Sequence, residues 1–217
     1  VLQALGTGIG MGGAVYYSIN MAEKKQKRAR DFIATSRWLL ILISIVVTVI
    51  IHFEASDMLS LLGAEGVILD NATDYIKVIA LGAILQVLGT GLIPFMRNYG
   101  GSFWSMFAMM GGFVTNIILD FIMVWIYGWG MKGAAAATII SQGVTVAIAI
   151  IYELCMKKFY VKVSLSEAKK ICGPIFKVGL APFGLALTPN ISLVFINRFS
   201  ASYGGEKAIA TYACVSY

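Results

Sequence analysis

Apolar residues arrive in long blocks separated by short polar segments. Blocks cover about 1–20, 33–53, 74–96, 103–127, 134–154 and 178–198, and another opens over 207–217. About 20 residues of helix cross the ~30 Å hydrocarbon core of a bilayer, so each complete block is long enough to span it. Helix is the conformation open to them, because a lone strand would leave amides and carbonyls unpaired in lipid. The pattern predicts an all-α fold: a polytopic transmembrane helical bundle with about six complete spans and one truncated span. Gly, Ala, Ser and Thr recur inside the blocks and let helix backbones approach closely. Gly6–Gly10 and Gly8–Gly12 have the four-residue spacing of such packing.

The polar segments add shorter elements. Ser164 followed by Glu167 fits a capping box, and Ala168–Cys172 mixes Lys with Ile before Gly173-Pro174 breaks the pattern. This predicts a short amphipathic helix on the membrane surface with its lysines toward headgroups, a connector or a lipid sensor. A similar short turn is expected at Met58–Leu62 on the opposite face.

Composition agrees with the pattern. Of 217 residues, 59% are hydrophobic and 13% charged, with a mean hydropathy of +0.81. Soluble domains carry about 25% charged residues, so a soluble enzyme and a disordered tail are both excluded. Cys155, Cys172 and Cys214 are scattered without CxxC spacing and form neither a disulfide framework nor a metal site. The chain opens at Val1 inside one apolar stretch and stops at Tyr217 inside another, which reads as a piece of a longer polytopic protein.

The net charge of +6 would suit nucleic acid in a soluble protein, but here its distribution decides. Lys24, Lys25, Lys27, Arg28 and Arg30 lie between the first two blocks, whereas the following loop, 54–73, has four acidic residues and no Lys or Arg. Arg97 marks the third loop, Lys132 alone the fourth, and six lysines between 157 and 177 the fifth. The alternation follows the positive-inside rule, so loops 21–32, 97–102 and 155–177 are expected to be cytoplasmic in a multi-pass cell-membrane protein. Lipids are then the macromolecular surroundings, and no nucleic-acid partner is expected.

Several motifs are weaker than their spelling. Gly8–Gly10–Gly13 and Gly128–Gly130–Gly133 spell a dinucleotide fingerprint, but one lies inside a span and the other in a tight loop. His52 beside Glu54 reads as an interfacial histidine, with a proton relay as the alternative. Pro94, Pro182 and Pro189 fall in or near spans and are hinge candidates. Trp125, Tyr127 and Trp129 cluster as an interfacial aromatic belt.

Asp120 stands apart. It lies in an otherwise uncharged span, where a carboxylate costs about 2.5–3.5 kcal/mol on insertion scales and marks function by default. Asn116 is one turn earlier on the same face. The next span carries Thr138 and Gln142 on one face, behind the alanine run 134–137. The connecting loop is short, so the two helices are antiparallel neighbours. Asp120, Asn116, Thr138 and Gln142 could then converge on an oxygen-rich pocket suited to a hard cation, or to a proton on a desolvated carboxylate. A hydrogen-bonded knot between helices is the structural alternative.

These residues resemble the multidrug and toxic compound extrusion (MATE) transporters. The resemblance runs through Asn116-x3-Asp120, Gly130–Gly133, Thr138-Ile-Ile-Ser-Gln142, Gly12…Ser18, Leu61-Leu62-Gly63-Ala64, Arg97-Asn-Tyr-Gly100 and Gly179-Leu-Ala-Pro182. It extends over essentially the whole chain; Met21 departs from it where a glycine is usual. It implies a two-lobe, twelve-helix transporter of which this chain holds helices two to seven and the start of eight. Residues 1–154 would belong to the amino-terminal lobe, 155–177 to the inter-lobe linker and 178–217 to the second lobe. It implies antiport, with Na+ or H+ entering as amphipathic, often cationic, organic compounds leave, and no bond chemistry or organic cofactor. The family's cation site maps onto Asn116, Asp120 and Thr138, which makes them the candidate Na+ ligands, while its Asp on the first helix would precede Val1. A monomer is expected. The rivals are a lipid-linked saccharide flippase of related architecture, whose cavity needs buried cations, and a structural membrane scaffold. Arg37, Lys77 and Arg198 all lie near span ends, which disfavours the flippase.

Overall fold

The structure is a computed structural model that describes residues 1–61 and 66–215; at 56, 58, 61, 66–71, 74, 197 and 201–215 it describes the backbone alone. The string Leu61-Leu62-Gly63-Ala64 of the resemblance falls mostly outside the described residues. Seven α-helices and no strand occur among those described: α1 Leu2–Ala22, α2 Gln26–Leu61, α3 Gly66–Leu81, α4 Ala83–Asn98, α5 Ser102–Asp120, α6 Gly130–Cys155 and α7 Leu165–Val215. A π-helical turn, Phe121–Ile126, extends α5. Four helices are long and apolar enough to cross a membrane over Gln26–Ala55, Ser102–Ile126, Gly130–Cys155 and Leu165–Ser200. Tyr75–Leu81 and Ala83–Asn98 make a fifth span if counted together.

α1 is absent from that set for a physical reason. It is 21 residues long, but Gly6, Gly8, Gly10, Gly12 and Gly13 replace the large apolar side chains that lipid contact would favour. It sits instead among α2, α4 and α7. The two glycine pairs serve different neighbours. A Cβ added at Gly10 would come within 2.3 Å of the Gly91 carbonyl oxygen on α4, and one at Gly6 within 2.6 Å of the Val87 carbonyl oxygen. On the other side, a Cβ at Gly12 would lie 2.3 Å from the Ile175 carbonyl oxygen, and one at Gly8 3.0 Å from that of Gly179, both on α7. The expected close packing is thus two seams, one per pair. Phe32, Leu40, Val87 and Ile175 fill the core beside them.

Three expectations about helix ends are corrected. The block 74–96 is two helices joined at Gly82 with a 59° bend. α2 continues through Leu61, so residues 58–61 are helix where a separate turn was expected, and Leu62 lies outside the described residues. α7 runs unbroken through Gly173-Pro174 and through the loop expected near 199–206, so the surface helix and the last two spans are one helix. A helical proline normally removes a hydrogen bond and strains the turn before it. Here Ile171 and Ile175, 3% and 0% exposed, are buried on either side of Pro174 and hold that turn in place.

Helices α1, α4 and α6 end alike, with a residue in the left-handed region followed by a bond back to the last turn. These residues are Lys24 (φ 59°), Gly100 (φ 86°) and Lys157 (φ 54°). The closing bonds run from the N–H of Lys25 to Asn20 O (2.8 Å), of Gly101 to Met96 O (3.0 Å) and of Lys158 to Glu153 O (2.8 Å). The Lys158 ammonium lies 4.8 Å over the Tyr99 ring, and Arg30 5.0 Å over that of Tyr160. All three basic loops therefore gather at one end of the bundle.

Candidate functional site

Asp120 is the last residue of α5 before the π turn. In that turn the Tyr127 N–H reaches back five residues to the Ile122 carbonyl at 3.0 Å, a widened register that often accompanies functional sites. Asp120 is half-buried, and its Oδ1 is sealed from solvent with no hydrogen-bond donor among the described residues. An unmet buried acceptor is costly. It is also the chemistry that a cation or a proton would satisfy.

α5 and α6 pack as the antiparallel neighbours that their short loop requires. Thr145 seals the pair, donating at 3.4 Å to the Ala108 carbonyl where Gly112 leaves room. The other three candidates are half-buried, but no hydrogen bond joins any two of the four among the described residues. Asn116 stands one turn before Asp120. Thr138 donates to the Ala134 carbonyl of its own helix at 3.0 Å, which leaves its oxygen lone pairs available. Gln142 turns toward α4, where a Cβ on Gly89 would come within 2.6 Å of its Oε1. Gln86 on α4, passed over in the sequence, presents another buried oxygen without a donor, Oε1, as do Thr35, Ser36, Tyr99 and Glu153 elsewhere in the bundle. The signal for Gln86 was there: it is the lone amide in the block 74–96. No cluster of three His, Cys, Asp or Glu side chains occurs among the described residues. A hard cation would therefore rest on Asp120 and neutral oxygens.

Of the hinge candidates, Pro94 lies inside a continuous α4, and Pro182 and Pro189 inside a continuous α7. The observed bend is twelve residues before Pro94, at Gly82, where a Cβ would come within 2.3 Å of Ile139 on α6. An apolar cavity of about 400 Å³ opens between α1 and α7, lined by Leu5, Ile9, Phe176, Leu180 and Phe183, with Lys177 at its edge.

A second polar cluster escaped the sequence reading. Arg37, read there as a residue near a span end, is buried and bonded to the fully buried Glu153 of α6. Its guanidinium also donates to the Tyr160 carbonyl at 2.6 Å and lies 4.3 Å over the Phe159 ring. Trp38 Nε1 donates to the Val161 carbonyl at 3.0 Å. These contacts strap residues 159–161 to α2. Burial, and next the Glu153 charge, push the nearby Tyr99 phenol above its ordinary range.

Apolar helices packed through glycine seams, with carboxylate oxygens on α5 and α6 that lack a donor among the described residues, define a polytopic membrane protein. The chain belongs to the MatE family, that of the MATE transporters, whose sequence model matches residues 1–122. It is 33% identical over 215 residues to multidrug export protein MepA of Staphylococcus saprophyticus, and 29% identical to MepA of Staphylococcus aureus. Each alignment covers 98% of this chain and 47% of the relative, so the chain spans about half the length of the curated relatives it matches. Among solved structures, it superposes on the inward-facing conformation of a multidrug resistance MATE family transporter with a TM-score of 0.87. The identity is 26%, over 97% of this chain and 49% of that one. The outward-facing conformation of such a transporter gives 0.81 at 26% identity, over 98% and 48%.

Proposed function

We propose that the chain is part of a cation-coupled antiporter that exports amphipathic, often cationic, organic compounds, with Na+ or H+ as the coupling ion. Likeness to multidrug export proteins along 98% of the chain carries the reading. The donor-less Asp120 Oδ1 supports its coupling part. In this reading Asp120 is alternately loaded and emptied, and Asn116 and Thr138 add neutral oxygens. Gln142, whose Oε1 lies beside Gly89 of α4, is the fourth candidate oxygen donor. Only an occupant that binds one conformation better can shift the balance between two, and a carboxylate that exchanges proton for cation supplies that difference.

The remaining assignments follow from the same reading. Residues 1–154 form the amino-terminal lobe, 155–177 the cytoplasmic linker, and 178–217 open the second lobe. Loops 21–32 and 97–102 are cytoplasmic as well. The protein works as a monomer in the cell membrane, without organic cofactor, nucleic acid or bond chemistry. The apolar cavity between α1 and α7 suits an amphipathic substrate better than a phosphate. Arg37 is the one buried cation among the described residues, and Glu153 neutralises it, which disfavours a flippase.

The test is Asp120→Asn in the full-length protein. It should insert at the normal level and lose dye export driven by an imposed Na+ or pH gradient. Undiminished gradient-driven export would reduce Asp120 to a packing residue.

A further inference from the structure

The end of the bundle that gathers the basic loops contains a cavity of about 760 Å³ between the start of α2 and the 159–162 segment. Lys27, Arg30 and Lys162 border it against a single carboxylate, Asp31, an excess of two positive charges. The first turn of α2 carries no acidic residue, so its free N–H groups add to the positive potential. The opposite wall is preformed: Arg37 holds the Tyr160 carbonyl and Trp38 holds that of Val161. The volume lies in the range of small-molecule sites. Positive-inside statistics require lysines here but not a walled cavity.

We propose that this cavity binds the phosphate of an anionic phospholipid, with Lys27, Arg30 and Lys162 around the headgroup. Lipid is favoured over a soluble phosphate by what adjoins the cavity. Trp38 is 52% exposed although its indole N–H is used, and Leu42, Ile45, Val46 and Val49 continue an exposed apolar face down α2. A headgroup in the cavity would place its acyl chains along that face, and basic pockets at helix ends are suited to such headgroups. The strap 159–162 would then be fixed by lipid on one side and by Arg37 on the other. The site requires α2 to be a membrane helix and does not depend on export.

Binding of fluorescent phosphatidylglycerol to the purified full-length protein in detergent tests this, with phosphatidylcholine as the neutral comparison. Replacing Lys27, Arg30 and Lys162 together by Gln should weaken phosphatidylglycerol binding about a hundredfold, at roughly fivefold per charge. Lys162→Glu alone, outside any helix, should weaken it about tenfold or more. Replacing Lys24, Lys25 and Arg28 by Gln removes as many charges outside the cavity and should change it no more than a few-fold. Equal loss in the two triple variants, or unchanged binding in the cavity variants, would overturn the site. Full displacement by millimolar inorganic phosphate would assign it to a soluble phosphate and overturn the lipid.

Discussion

Glu153 on α6 and Asp120 on α5 are both carboxylates of apolar helices in this bundle, and their surroundings differ. Glu153, near the end of α6, is fully buried; its Oε2 receives the Arg37 guanidinium, while its Oε1, like Asp120 Oδ1, has no donor among the described residues. Asp120, at the end of α5, has a sealed Oδ1, and among the described residues no ion pair reaches it. Arg37 is itself over-determined, bonded to Glu153 and to a carbonyl and stacked on Phe159. Asp120 has a helix that widens beneath it and no such restraint. The first arrangement fixes structure, since neither charge can leave its partner without exposing the other. The second leaves a carboxylate with no counter-charge among the described residues, which under the proposed function is where the coupling ion would bind. A carboxylate in an apolar span is therefore read by its partner, not by its depth.

The largest effect should come from Glu153→Ala. Arg37 would remain buried without its counter-charge, at a cost of about 3–5 kcal/mol. Thermal unfolding in detergent should show it, and Arg37→Met with Glu153→Leu should recover most of the loss. A single variant as stable as the parent would put the two carboxylates in the same class.

Asp120→Leu should move the opposite way. Removing an unmet buried acceptor should stabilise the protein by about 1–3 kcal/mol while abolishing gradient-driven export. A loss of stability like that of Glu153→Ala would make Asp120 a structural group. Smaller again is Thr138→Val, which keeps shape and removes one neutral oxygen. Cation affinity, read by isothermal titration, should fall about tenfold, equivalent to ~1.4 kcal/mol, with the unfolding midpoint unchanged. Smallest is Phe159→Ala, which takes the ring from under Arg37 at a cost of about 0.5–1 kcal/mol. Its effect should vanish once the Arg37–Glu153 pair is already replaced.

Much of this was legible along the chain, because bilayer thickness and backbone hydrogen bonding constrain a membrane sequence so tightly. Block lengths in residues 1–198 predicted helices, and the spacing of Gly6, Gly8, Gly10 and Gly12 predicted close packing, since a missing side chain in a helix leaves a gap only a neighbour can fill. The basic loops, read as lying on one side, meet at one end of the bundle, and Asp120 was visible as a lone charge among apolar residues. What the pattern could not contain was anything set by a distant contact. The 59° bend falls at Gly82 because Ile139 of α6 occupies the space beside it, not at Pro94, where the local rule points. α7 passes Pro174 because Ile171 and Ile175 are buried on both sides of it. The Arg37–Glu153 pair joins residues 116 positions apart, so Arg37 read only as a residue near a span end and Glu153 was passed over. Gln142 leans to α4 because Gly89 makes room there. Hydrophobic periodicity reports the solvent each residue meets, which is local; the partner each polar atom finds is decided only when the helices pack.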